Sequence, residues 1–361
     1  DYAMPRNKYA DGLCKNLSQA HDFRIMIDQK LDPDFSPVYN VMPILYNGGK
    51  GKVGAIMAYG ISLLKISVNL IKNRYDIVHI QTFKNAEIEM KIYTKLHKYI
   101  GKLVHTVHNV LPHEVSASDQ MRYKTFYNEC DALIVHNKYS KDLLMKSFQI
   151  KSEKIAVIPR GVYENKGEVY LKKQQDTTEF LMFGKIRKYK GIDILLKAIA
   201  LIPQEYRNKM HFIIAGQQFK SLDDTDYTGM IRDLQIGDCV SFISERISDQ
   251  DKDRLFYQAD ACVCPYTTIY GSGVLLEAYT HGCPVICSDI PVFAEDTENG
   301  KTGMLFKSED PEDLARVLKE FVSIKNKKHM EFRRNIESLV DMKYNWKVAA
   351  KKTECVYLGG N

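Results

Sequence analysis

"YGSGVLLEAYTHGCPVICSD" runs from Tyr270 to Asp289. A glycine-flanked serine leads into an apolar run with one carboxylate inside it, Glu277, and a β-rich run, "PVICSD", closes the stretch. Gly271 and Gly273 take away side chains, so a ligand can approach the backbone. Ser272 can cap the helix expected from Val274 onward, or donate to a ligand oxygen. A helix start presents unpaired N–H groups and a positive dipole end, both of which attract phosphate. Glu277 lies one turn in. It can accept two hydrogen bonds from vicinal hydroxyls such as a ribose 2′- and 3′-OH, or it can be an acid favoured there by the dipole alone. The preceding run, "ACVCP" 261–265, reads as a buried strand, which sets the loop at a strand's C-terminal end, where parallel α/β folds bind ligands.

A second stretch repeats the arrangement. In "FGKIRKYKGIDILLKA", 183–198, a strand ends at Gly184 and a helix begins after Gly191, with apolar residues at 192, 195, 196 and 199. Lys185, Arg187, Lys188 and Lys190 crowd the turn between them. Cations at a strand end beside a helix start suit a diphosphate: arginine grips two oxygens at once and lysine supplies a mobile charge. The plainer alternative is a basic solvent loop.

Outward from these stretches, strand and helix patterns alternate. The first series has "FRIMI" 23–27, "DIVHIQ" 76–81, "LVHTVHN" 103–109, "ALIVHN" 132–137 and "KIAVIP" 154–159, with helical patterns near 54–73, 86–99, 121–129 and 140–148. The second has "EFLMFG" 179–184, "HFIIAG" 211–216, "VSFIS" 240–244, "ACVCP" and "PVICSD" 284–289, with helices near 191–201, 225–235, 249–258 and 273–281. Buried strands alternating with helices imply parallel sheets covered on both faces. The polar, aperiodic "ENKGEVYLKKQQDTTE", 164–179, reads as the linker between two doubly wound halves. The chain does not begin with Met, and a doubly wound domain opens with a strand, so the first strand of the first half is expected upstream of Asp1.

Composition narrows the class. The chain has 361 residues, 45% hydrophobic and 27% charged, the profile of a soluble globular protein of two domains. Residues 1–163 hold 23 Lys and Arg against 15 Asp and Glu, a balance of +8, whereas residues 164–361 hold 28 against 30, a balance of −2. The basic half points to an anionic partner: nucleotide phosphate, an acidic glycan or a membrane surface. Nucleic acid is not expected, because no compact basic-aromatic motif is present. Eight cysteines stand singly without CxxC, and Cys262 and Cys264 alternate in an apolar run, as buried thiols of a reducing cytoplasm do. The apolar stretch Val53 to Ile71 is interrupted by Lys65, Ser67 and Asn69. A bilayer-spanning helix is therefore rejected, and an amphipathic helix is expected, packed on a sheet or, as the alternative, lying on a membrane surface.

Two further patterns carry polar groups. "VHTVHNVLPHE", 104–114, follows a buried strand with His108, Asn109, His113 and Glu114, which can contact hydroxyls or tune a proton transfer, or serve as caps and loop residues. HxxxxH lacks a third ligand, so no metal site is expected. "GKGKVG", 49–54, matches the dinucleotide fingerprint GxGxxG, but Asp76 precedes its strand instead of ending it. Nicotinamide binding is set aside, and the stretch is read as an ordinary loop or, as the alternative, one whose lysine-flanked glycines touch an acceptor phosphate or a membrane surface.

The two glycine-bearing stretches and the tail "YNWKVAAKKTECVY", 344–357, resemble the C-terminal half of the retaining GT-B glycosyltransferases of family 4. The likeness is good over about 155–361 and general in the first half. It implies an α/β GT-B fold, two Rossmann-like doubly wound domains facing across a cleft. One would be an acceptor-side domain of residues 1–163 completed by 344–361, to which the C-terminal helix returns. The other would be a nucleotide-sugar domain of residues 164–343. It further implies His108, Arg187 and Lys190 as catalytic residues. Gly184, Lys185, Gly271, Ser272, Gly273, Val274 and Glu277 would hold the donor, and Asn109, His113 and Glu114 would lie on the sugar or acceptor side. Lys185 stands where the family has an arginine, with Arg187 taking over. Ile269 stands where the family has the earlier of two glutamates. The implied reaction moves a sugar, as a hexosyltransferase, from a UDP- or GDP-linked donor to a glycan or lipid-linked acceptor. It needs no obligatory metal, since the basic loop neutralises the diphosphate. The implied setting is polysaccharide or glycolipid assembly, in the cytoplasm or on the inner face of the plasma membrane. A non-catalytic nucleotide-sugar-binding scaffold and an inverting or epimerase-like GT-B enzyme are the alternatives.

Overall fold

The structure is a computed structural model that describes residues 8–17, 21–28, 37–45, 51–111, 116–163 and 177–360. It divides into two compact units, Asp1–Gly161 with Lys343–Asn361, and Val162–Met342.

The first described element of unit 1 is helix α1 (Lys8–Asn16), followed by the parallel pair β1 (Arg24–Asp28) and β2 (Asn40–Leu45). Helix α2 (Gly51–Asn73) leads to a four-stranded parallel sheet, in order β3 (Ile77–Ile80), β4 (Lys102–Thr106), β5 (Ala132–Val135) and β6 (Ile155–Val157). Its crossovers carry α3 (Ala86–Leu96), α4 (Ala117–Glu129) and α5 (Lys138–Phe148). Strand β5, "ALIV", is buried at every residue, which is why it reads as an unbroken apolar run. Helix starts are fixed by side chains: Ser116 and Asp119 form a capping box on α4, and Asn137 accepts from the Ser140 N–H on α5.

Unit 2 is built on β7 (Thr178–Phe183), β8 (Met210–Ala215), β9 (Val240–Ile243), β10 (Ala261–Cys264), β11 (Val285–Ser288) and β12 (Gly303–Phe306). They are parallel in the order β9-β8-β7-β10-β11-β12, the doubly wound 3-2-1-4-5-6 order. The connections hold α6 (Ile192–Leu201), α7 (Gln204–Arg207), α8 (Tyr227–Asp233), α9 (Asp249–Gln258), α10 (Gly273–Thr280) and α11 (Pro291–Asp296), and α12 (Pro311–Met342) follows β12. Helix α13 (Trp346–Tyr357) then enters the core of unit 1, where Ala349 and Val356 join Val104, Ile134 and Ile158. Trp346 and Ala350 pack with Tyr9 and Leu13 of α1.

Three expectations need correction. The linker reading extended to Glu179, but β7 already starts at Thr178, because Thr178 is buried and its N–H bonds to the Lys209 carbonyl. "GKGKVG" is no loop over its length: Gly51, Lys52, Val53 and Gly54 are the first turn of α2. That helix does not hide its apolar residues. It buries only Ala58, Ser62, Ile66 and Leu70, while Val53, Ile56 and Leu64 stand exposed, and by length and composition it is long and apolar enough to cross a membrane.

Candidate functional site

The strand order of unit 2 reverses between β7 and β10, and the crevice at such a switch point is where open parallel sheets take ligands. The loops leaving β7 and β10 meet there. The Thr267 N–H bonds to the Tyr189 carbonyl at 2.8 Å, tying the β10 loop to the basic turn. Gly184 has a φ of 99°, and a Cβ on it would lie 2.7 Å from Lys190 Nζ and 3.3 Å from Val274 Cγ2. Gly191, at a φ of 69°, runs so close to the β10 end that a Cβ would stand 2.0 Å from the Pro265 carbonyl oxygen. Only glycine fits either position. The basic turn and the start of α10 are therefore neighbours.

Their charges are held differently. Lys190 is buried, donates to the Phe183 carbonyl at 2.9 Å and lies 5.4 Å from the Tyr266 ring centre. Burial, above all, draws its pKa down to about 8, and the nearby Arg187 charge adds to that. Arg187 Nη1 is buried and, among the described residues, has no hydrogen-bond partner. A buried guanidinium N–H without a partner is a donor that an anion can satisfy. Lys185 is exposed. Ser272 caps α10, its Oγ accepting from the Leu275 N–H at 3.1 Å. Beside Gly271 no described atom lies within 4 Å of where a Cβ would stand, and beside Gly273 the nearest is Tyr163 Oη at 3.5 Å.

Glu277 is buried, and its Oε1 lies 2.5 Å from Lys252 Nζ. Lys252 comes from the first turn of α9, which Ser248 caps, and also meets Asp253 at 3.2 Å. Burial works against its charge, but the Glu277 hydrogen bond and charge, with Asp253, outweigh that and leave its pKa raised. Sequence reading missed Lys252. The only trace was a lone cation amid the acids of "SDQDKD", 248–253. Ile269 is buried, and no acid lies between Tyr266 and Ser272.

Unit 1 holds a separate cluster. His108 follows β4, and its Nδ1 lies 3.0 Å from His136 Nε2, while His136 Nδ1 lies 3.0 Å from the Ile158 carbonyl. Tyr9 packs edge-on against the His108 ring at 4.9 Å, and Arg160 reaches His108 Nδ1 at 3.4 Å. Burial first, then the Arg160 charge, keeps both histidines far below their usual pKa, so both are neutral. A carbonyl only accepts, so His136 carries its proton on Nδ1 and offers a lone pair at Nε2. His108 Nδ1 faces both that lone pair and the donor-only guanidinium of Arg160, so the contacts are compatible with its proton on Nδ1 or on Nε2. Nε2 of His108 is buried and has no partner among the described residues. His136 too escaped sequence reading, because nothing in "ALIVHN" marks it as facing His108.

The structure thus brings Gly184, Arg187, Lys190, Ser272, Gly273, Val274 and Glu277 to one end of the unit 2 sheet, with Lys185 and Gly271 on the same loops. His108 and Asn109 belong to unit 1. His113 and Glu114 lie outside the described residues. Among the described residues no group of His, Cys, Asp or Glu could hold a metal ion, and Cys262 and Cys264 are free buried thiols.

Comparison with known proteins agrees with this fold. Sucrose-phosphate synthase from Thermosynechococcus elongatus superposes with a TM-score of 0.76 at 20% identity, covering 98% of this chain and 92% of that one. HepE of Anabaena, in complex with UDP and glucose, gives 0.75 at 16% identity, covering 99% and 97%. The fold is GT-B, with two Rossmann-like domains. Residues 7–166 match the model "Glycosyltransferase Family 4" and residues 168–338 match "Glycosyl transferases group 1", so the chain belongs to this family of glycosyltransferases. The O-antigen chain mannosyltransferase RfbU of Salmonella typhimurium is 31% identical over 182 residues, 49% of this chain and 47% of that protein, about half of each.

Proposed function

We propose that the chain is a hexosyltransferase that moves a sugar from a nucleotide sugar to an acceptor hydroxyl with retention, in the assembly of a bacterial surface polysaccharide or glycolipid. The observation that carries this is the meeting of Arg187, Lys190 and the α10 start at the switch point of unit 2, with Glu277 one turn behind. Arg187 and Lys190 neutralise the diphosphate, and Glu277 accepts from the ribose hydroxyls, exchanging part of its Lys252 contact for them. The bond from the sugar C1 to the β-phosphate oxygen breaks, its electron pair goes to the diphosphate, and the acceptor oxygen bonds to C1 from the face the phosphate leaves. The acceptor proton passes to that departing phosphate oxygen. Lysine and arginine stabilise the charge as it develops, which is where electrostatic catalysis is largest. His108, Asn109, His113 and Glu114 serve the sugar or acceptor, and His108 Nε2, as donor or acceptor, suits a sugar hydroxyl. The donor is UDP- or GDP-linked; HepE, with UDP and glucose bound, supports a uridine nucleotide first. The setting is the cytoplasmic side of the membrane.

Thermal-shift measurement against UDP, GDP and their sugar conjugates tests the reading, since a ligand at 100 times its Kd adds about 2.7 kcal/mol of stability. One nucleotide series should raise Tm, and Glu277→Gln should weaken it by about 1–3 kcal/mol. No shift with any of them would overturn the assignment. The buried Ile269, in place of an acid, favours a second reading: a scaffold that binds nucleotide sugar without turning it over. Tight binding with neither transfer nor hydrolysis, across a panel of acceptors, would support that instead.

A further inference from the structure

We infer that α2 is a docking surface for an anionic lipid bilayer, lying in the plane of the interface with its outer face among the headgroups. The inference is independent of sugar transfer. Helix α2 is apolar on two opposite sides. At about 100° per residue, Ala58, Ser62, Ile66 and Leu70 form one stripe, and that stripe is buried in unit 1. Val53, Ile56, Met57, Leu64, Val68 and Ile71 fall in an arc of roughly 120° on the opposite side. They are exposed, Val53 and Ile56 by 71% and Leu64 by 64%. A surface helix ordinarily carries polar residues there. A contiguous exposed apolar strip marks an interaction site.

Charge decides the occupant. From Gly51 to Asn73 the helix has no carboxylate and three lysines, all exposed. On the helical wheel Lys65 and Lys72 border the exposed arc on one side and Lys52 borders it on the other. Long lysine stems at the rim of an apolar strip carry their ammonium groups up to the phosphate level of a bilayer. Residues 1–163 as a whole hold 23 Lys and Arg against 15 Asp and Glu. Two other occupants fit worse. A second copy joined through this strip on a two-fold axis would set lysine borders against lysine borders, with no acid on α2 to pair them. A membrane-spanning α2 would have to leave the fold, tearing its buried stripe from the core and breaking the 2.8 Å hydrogen bond from Tyr59 to Glu89, whose carboxylate also accepts from the Asn85 N–H at 2.8 Å. The helix therefore lies on the bilayer and does not cross it.

The test is co-sedimentation of the full chain with phosphatidylcholine vesicles, with and without about one-third phosphatidylglycerol. Three chains are compared: the unaltered one, Ile56→Asn with Leu64→Asn, and Lys65→Glu with Lys72→Glu. All the altered side chains are solvent-facing, so Tm and its rise with nucleotide should be unchanged; that readout separates failure here from failure of the donor-site reading. The unaltered chain should pellet with the anionic vesicles and weakly with neutral ones. Raising salt to 0.5 M should release most of it, and each double variant should lower the partition coefficient tenfold or more. No binding to anionic vesicles at low salt overturns the inference. So does equal binding by the apolar variant, resistance to alkaline carbonate extraction, or a dimer in sedimentation equilibrium that the apolar variant abolishes.

Discussion

Lys190 is a cation in a place where cations are expensive, and its titration has two opposite consequences. Its pKa stands at about 8 against 10.5 for a free lysine. Below about pH 8 the folded chain carries a buried charge that costs stability. Between about 8 and 10.5 the unfolded chain binds the proton more tightly than the folded one, so this group makes stability rise with pH across that window. Diphosphate affinity should run the other way. Binding draws the proton back, so affinity should fall above about pH 8, by up to tenfold per unit, with proton uptake visible by titration calorimetry in buffers of different ionisation enthalpy. Lys190→Met should bind weakly and lose the pH dependence. Uptake of no proton near pH 9 would remove Lys190 from the clamp. His136 is proposed as a positioning group one residue removed: it competes with Arg160 for His108 Nδ1 and favours the tautomer with the proton there. Nitrogen NMR should show Nε2 of His108 unprotonated at pH 7. His136→Asn should release that preference and lower kcat while leaving nucleoside-diphosphate Kd nearly unchanged. A protonated Nε2 in the unaltered chain contradicts the relay.

The elements were legible wherever burial makes a simple pattern. Strands such as "ALIV" and "ACVC" are buried throughout and show as apolar runs in any window. Helix α12 went unread, although it is 32 residues long, because it covers the sheet with a stripe that includes Leu314, Leu318 and Phe321 and is otherwise polar. Strand β12, "GMLF", is as long as those two strands, but it opens on a glycine and buries only Gly303 and Phe306, so its apolar run is shorter and less complete. Within the site, the loops announced their glycines and cations, but their partners did not: Lys252 meets Glu277, and His136 meets His108, across separate elements with no spacing rule to join them. Trp346 shows the same limit. Its ring abuts two glycines, and a Cβ on Gly12 or Gly161 would stand 2.5 Å or 2.4 Å from it. Tyr9, Leu13 and Ala350 surround the ring, so it has little room to yield. Gly161→Ala should cost about 1–3 kcal/mol, the usual penalty of overfilling a packed site. Urea denaturation followed by tryptophan emission measures this directly, because Trp346 is the chain's single tryptophan. An unchanged midpoint would mean that the ring yields freely.

At the scale of the whole molecule, one unit is continuous and the other is assembled from two separated pieces of chain. Helix α13 brings Ala349 and Val356 to the unit 1 core, and Tyr357 Oη meets His79 Nδ1 at 2.7 Å. A chain ended at Met342 should therefore keep a cooperative, nucleotide-responsive unit 2 while unit 1 loses its protected amides in hydrogen exchange. Full protection of both units would show α13 to be dispensable.

The same return of the chain reverses the usual order of events on the ribosome. Domains generally complete themselves from the N-terminus as they emerge, at about 5–20 residues per second. Here the first unit emerges with an empty seat for α13, and 181 residues, Val162–Met342, must be translated before the helix that fills it can follow. That delay is about 10–35 s at those rates. The second unit can reach its native state first, while the first waits with the α13 seat beside Tyr9, Leu13, Ile134 and Ile158 uncovered, the interval in which a nascent-chain chaperone would have something to hold.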